Sequence, residues 1–200
     1  MAPRVHLFGL VTAAALLLAL SGCGDDESPE PNLDPTPTEE TSPADATSSP
    51  TSKPTEPFDA EGSETHAGRL KTDGPDERAV AEAWVAYWEV RGTAYHEAEV
   101  DVDALGEVAR GEAVEEIVNY VAELQSDGEH LVGDTRVGVS KVEIQGSSAA
   151  VQGCLQGKRR VAGEAPGPIQ YATVVGTLTK VGDTWLVDTK TVTGDKKCKA

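Results

Sequence analysis

The chain has 200 residues, with 34 acidic against 17 basic side chains and a net charge of −17. That balance argues against nucleic acid binding, which needs a basic field over the phosphate backbone. Two hundred residues suit one or two domains, and the segments described next reduce that to one.

The first residues carry Arg4, with His6 nearby, and Leu7 to Leu20 is almost wholly apolar. Leu20-Ser21-Gly22-Cys23 closes this run, and Asp25, Asp26 and Glu27 follow. A basic start, an apolar stretch of about 14 residues and a small-residue site have the form of an export signal. The stretch falls short of the roughly 20 apolar residues that span a bilayer. Leu20-Ser21-Gly22-Cys23 resembles the lipobox of bacterial lipoproteins. The resemblance implies a signal peptide over 1–22, cleavage between Gly22 and Cys23, and a thioether-linked diacylglycerol, with palmitate-like chains, on Cys23. Membrane lipid would then hold the protein through Cys23 at the extracellular face of the cell membrane. Two acyl chains anchor stably, whereas one is marginal.

Nine of the twelve prolines lie between Gly24 and Pro75, among many Thr, Ser, Asp and Glu. Such a segment buries too little apolar surface to offset its ordering entropy. Residues 23–75 are therefore expected to be the lipidated cysteine and an extended, acidic, disordered linker. Residues 76–200 remain for a single domain, with 21 acidic and 13 basic residues.

Asp73-Gly74-Pro75 followed by Asp76-Glu77 marks a helix start. Val80, Trp84, Tyr87, Trp88 and Arg91 recur at helical spacing, so a helix is expected over 76–91, with an extension toward Glu97 that carries Tyr95. A short helical turn fits Ala104 to Arg110. A second long helix fits Glu112 to Ser126, with Val114, Ile117, Val118, Val121 and Leu124 as its apolar line, stopped by Asp127-Gly128. The period then changes to two. Strands are expected over 133–144, with a shift of phase near Val142, then through Ala149, Val151 and Leu155, over 168–179, and over 184–192. Short turns between them make the pairing antiparallel. The polar loop from Gly157 to Gly167 holds Lys158, Arg159 and Arg160. The fold class is α+β, with N-terminal helices packed on a four-stranded antiparallel sheet.

Four features carry a second resemblance: Ala83-Trp84-Val85-Ala86-Tyr87-Trp88, a cysteine after the second strand, Gly182-Asp183-Thr184-Trp185, and a cysteine near the C-terminus. Residues 76–200 are similar to the NTF2-like (cystatin-like) domains of small lipoproteins from high-GC Gram-positive, actinobacterial-type bacteria. That resemblance implies a cone-shaped sheet. In an exported protein whose Cys23 is lipidated, Cys154 and Cys198 are expected to form a disulfide. Closing a loop of about 44 residues contributes about 4 kcal/mol on the chain-entropy model.

Trp84, Tyr87, Trp88, Tyr95 and Trp185 have two readings. They fill the core, or they line a pocket in the mouth of the cone for a small apolar or sugar-like ligand. Lys158, Arg159 and Arg160 are a solvated loop or a contact for anionic wall polymer or lipid headgroups. His96 and His130 lack ligand spacing, and Asp101 and Asp103 lack a calcium-loop pattern. No catalytic residue, cofactor or metal is assigned; the one candidate acid is Asp188 on the last strand. The expected protein is a membrane-anchored surface lipoprotein, non-enzymatic, whose domain binds a ligand or an envelope partner. An NTF2-like enzyme with an acid in the cone and an interaction module with a filled core are the alternatives. The sequence carries no signal for the oligomeric state.

Overall fold

A computed structural model describes residues 58–200. The expected signal peptide, Cys23 and the linker as far as residue 57 lie outside the described residues. Seven strands and three helices follow in the order β1 (Thr65–Leu70), α1 (Pro75–Glu97), α2 (Val102–Val108), α3 (Glu112–Asp127), β2 (Leu131–Val132), β3 (Thr135–Gln145), β4 (Ser148–Gly157), β5 (Arg160–Val161), β6 (Gln170–Val181) and β7 (Thr184–Gly194).

The α+β class holds, but the sheet differs from expectation in two ways. It has five strands in the order β1-β3-β4-β6-β7, and a separate ribbon pairs β2 with β5. β1 runs parallel to β3, while β3, β4, β6 and β7 form the expected antiparallel meander. Closure would require β1 to pair with β7; instead these strands are the two edges of the sheet. The sheet is therefore open, and the NTF2-like cone is not formed. β1 also lies in the stretch expected to be linker, so ordered structure begins before residue 76.

Helix α1 starts as its sequence dictates. Gly74 is the N-cap, Pro75 opens the first turn, and Glu77 accepts the backbone N–H of Asp73 at 2.7 Å. The helix runs through Gly92 to Glu97 and ends on Ala98, whose φ of 48° is left-handed. It packs on β1, β3, β4 and β7 and on α2 and α3. Val80, Ala81, Trp84, Val85, Tyr87, Trp88 and Tyr95 are all buried, so α1 is the spine of the core. Trp84 packs against β6 because position 176 is glycine: a Cβ there would overlap the indole ring. In α3, Ala113, Ile117, Val121 and Leu124 face inward. Val118, expected on the same line, is exposed.

The phase shift in β3 is a bulge between Val139 and Lys141, and Ser140 hydrogen-bonds across it to the Gln152 carbonyl. A second bulge falls in β7. Leu178 pairs with Val187 and Thr177 with Thr189, so Asp188 is the extra residue. The disulfide joins Cys154 to Cys198 as expected. It holds the C-terminal tail across the sheet face opposite α1, where Gln156 Nε2 donates to the Cys198 carbonyl at 2.8 Å.

Candidate functional site

Side chains spaced at Trp88, Arg91 and Tyr95 share one face of the last turns of α1. The Arg91 guanidinium lies 4.7 Å from the Trp88 ring centre and 4.4 Å from that of Tyr95, a position that favours a cation on both ring faces. Tyr120 of α3 continues the aromatic group, 4.6 Å from Tyr95 between ring centres.

Three cations approach this face. Arg91 pairs with Glu116 at 3.6 Å, and Lys190 reaches the same Glu116 oxygen at 2.5 Å. Lys190 also lies 5.9 Å from the Trp88 ring centre. The third is Arg159, which precedes β5. It makes no ion pair among the described residues, and it donates to the Ser63 carbonyl at 3.5 Å. Glycine at 92 makes room for it, since a Cβ there would stand 3.1 Å from the guanidinium and 2.8 Å from the Thr65 hydroxyl. Burial, then the neighbouring Arg91 charge, lowers the Arg159 pKa to about 10. Burial likewise lowers that of Lys190, against the opposing pull of Glu116. Tyr95 is pushed up to about 12 by burial, and Tyr87 is raised for the same reason.

A half-open cleft of about 150 Å³ lies beside these groups. Trp88, Arg91 and Arg159 line it together with Thr65, Gln156 and Gln170; the Thr65 hydroxyl donates to the Trp88 carbonyl at 3.3 Å, and the Gln156 amide is turned away to the Cys198 carbonyl. Three polar atoms of its lining residues are buried without a protein partner: Trp88 Nε1, Arg91 Nε and Arg159 Nε. Trp88 is only 3 % exposed, so its indole N–H is a buried donor aimed at nothing in the protein.

Of the five aromatic residues read as pocket lining, Trp88 alone borders this cleft. Trp84, Tyr87 and Tyr95 are buried core, and Trp185 packs under Lys180 at the far hairpin. The basic trio divides. Arg160 is tied to Glu61 and the Ala60 carbonyl, Lys158 belongs to the turn that follows β4, and Arg159 turns inward. Asp188 is held by Arg110 at 2.8 Å and by the Thr179 hydroxyl at 2.6 Å, outside the cleft. His96 Nδ1 meets the Leu131 carbonyl at 3.0 Å. Among the described residues no group of three His, Cys, Asp or Glu is placed to hold a metal.

Sequence reasoning missed Lys190, Thr65 and Gln156. Strict alternation with Trp185 and Val187 would send Lys190 outward; the Asp188 bulge turns it in. Its only advance signal was the lone lysine in an otherwise Thr- and Val-rich strand.

No family model and no curated protein matches the chain. Among solved structures, the chain is similar to the intermembrane space region of the chloroplast protein ARC6. The two are 18% identical with a TM-score of 0.50, over 60% of this chain and 98% of that one. At that identity the likeness concerns the fold alone. No helix among the described residues is long and apolar enough to cross a membrane.

Proposed function

We propose that this chain is a lipid-anchored lipoprotein of the outer face of the cell membrane, whose folded domain binds a small ligand in the cleft beside Trp88. The observation that carries the binding role is that two neighbouring arginines, Arg91 and Arg159, line one cleft beside Trp88, each of the three with a buried donor that has no protein partner. Native interiors pair their buried donors, and an unmade pairing costs about 1–3 kcal/mol. The anchor is supported by the lipobox-like Leu20-Ser21-Gly22-Cys23 and the acidic, proline-rich stretch behind it. A binding role is favoured over catalysis because Asp188, the candidate acid, is engaged by Arg110 and Thr179 outside the cleft. The filled-core alternative draws on the complete burial of Trp84, Tyr87 and Tyr95, but these sit behind the cleft rather than in it.

Two measurements test this. A mass spectrum of the native N-terminus is expected to show a chain that begins at diacylated Cys23; an unmodified Cys23, or a start elsewhere, removes the anchor. A fragment screen followed by the Trp88 indole N–H resonance is expected to yield binders that move it. If no fragment moves it, the domain is an interaction module with a filled core.

A further inference from the structure

We infer that the cleft is an oxyanion site: it takes a small ligand bearing a carboxylate or phosphate group, gripped by the guanidinium groups of Arg159 and Arg91 against the Trp88 wall. This deepens the proposed function and rests on the cleft being the binding site.

Charge count is the first reason. Arg91, Arg159 and Lys190 approach one region, and Glu116 is the carboxylate that meets two of them. Asp134 influences Arg159 only at a distance, and its own oxygens are taken by the backbone N–H groups of Asp59 and Glu64. Arg159 is thus a half-buried cation without a counter-ion, beside a second cation. That arrangement is costly alone and becomes favourable when an anion is bound. It also opposes the sign of the molecule as a whole, which carries a net charge of −17.

Geometry is the second reason. A guanidinium presents its donors in a planar fork that matches carboxylate and phosphate oxygens. Both arginines line the cleft beside Trp88 and Gln170, and their Nε atoms and the indole N–H of Trp88 lack protein partners; the Thr65 hydroxyl donates to the Trp88 carbonyl at 3.3 Å and the Gln156 amide to the Cys198 carbonyl, so neither is counted among the free donors. The absence of a side chain at Gly92 sets the Arg159 fork against α1 rather than in solvent. Glycine inside a helix costs about 1 kcal/mol relative to alanine, so the position favours the arginine at the helix's expense.

Size is the third. A cavity of about 150 Å³ accommodates a molecule of benzene size. Drug-sized ligands need roughly 300 Å³ or more. The space suits phosphate, a phosphorylated headgroup or a carboxylate on a small ring.

The test uses the full chain with Cys23→Ser, which removes the lipid site and leaves the rest intact. The probes are inorganic phosphate, glycerol 3-phosphate and benzoate, with glycerol and benzamide as neutral counterparts. The Trp88 indole N–H resonance and calorimetry report binding. Anions are expected to bind and move the resonance, and the neutral probes to leave it in place. Arg159→Gln should weaken binding roughly tenfold to a hundredfold, the loss of a charge-assisted bond. Arg159→Lys keeps the charge without the fork and should fall between, which separates lost binding from lost folding. Vesicles of phosphatidylglycerol and of phosphatidylcholine then separate the sources. Binding to the anionic vesicles that is lost in Arg159→Gln assigns a lipid headgroup; binding of the soluble anions alone assigns a free one. If benzamide binds as well as benzoate, the oxyanion inference fails while the cleft remains a binding site. If neither anions nor neutral probes move Trp88, both fall.

Discussion

Replacing Asp134 by alanine should loosen the N-terminal strap that leads into β1. The Asp134 side chain is 10% exposed, and its two oxygens accept the backbone N–H groups of Asp59 at 3.0 Å and Glu64 at 3.1 Å. His66 adds a more distant contact at 3.5 Å, and it is itself 41% exposed. A hydrogen bond to a charged group contributes about 1.5–3 kcal/mol, and the exposed imidazole adds little. Two such bonds set the lower estimate at about 3 kcal/mol. Water reaching the freed N–H groups reduces it, and fraying of β1, whose parallel pairing begins at Thr65 with Thr135, increases it. Urea unfolding of the full chain should show a lower midpoint with an unchanged slope. Amide exchange should speed up at Asp59 and Glu64 before it does in β4. Asp134→Asn, which keeps one acceptor, should recover about half the loss. A loss below about 1 kcal/mol, or an Asn variant as unstable as the Ala variant, would refute the idea that this carboxylate holds the strap.

Four other outcomes are expected. Replacing both Cys154 and Cys198 by serine should cost about 4 kcal/mol by the loop-entropy model, read as a lower urea midpoint; an unchanged midpoint would count against it. Ala98→Gly should raise stability by about 0.5–1 kcal/mol, because Ala98 holds a left-handed φ of 48° at the end of α1; thermal unfolding checks the sign. Tyr95, raised to about 12, keeps its proton in the folded state where the unfolded chain loses it. Its contribution is therefore complete below pH 10 and is lost as the pH rises toward 12, so Tyr95→Phe should flatten the alkaline fall in stability. Arg159 acts oppositely: lowered to about 10, it releases its proton first in the folded state, so Arg159→Gln should steepen that fall.

What could be read from the sequence is what hydrophobic period and end signals control. Asp73-Gly74-Pro75 placed the start of α1, the line through Ile117, Val121 and Leu124 placed α3, and the change to period two placed the meander. Export logic paired Cys154 with Cys198. β1 escaped because Thr65–Leu70 has almost no apolar alternation and follows a proline-rich run. It is held by backbone pairing to β3 and by Asp134, neither of which leaves a pattern in its own residues. The cone failed for a related reason: which strands form the edges depends on β1, and β1 was not visible.

The cleft draws together the very residues that local pattern assigns elsewhere. Thr65 comes from the unseen strand, Arg159 from a run that looks like a solvated loop, and Gly92 from a helix that would be more stable with alanine. Lys190 reaches Glu116 and the Trp88 ring beside the cleft only because one extra residue, Asp188, turns the end of β7 by half a repeat. Each is a local choice that costs stability or breaks a period, and each has its effect at the same place. A fold selected for stability alone would fill Gly92, remove the bulge and replace Arg159 by an apolar side chain. Their convergence on one opening is a physical argument, separate from any resemblance, that the opening is what this domain keeps them for.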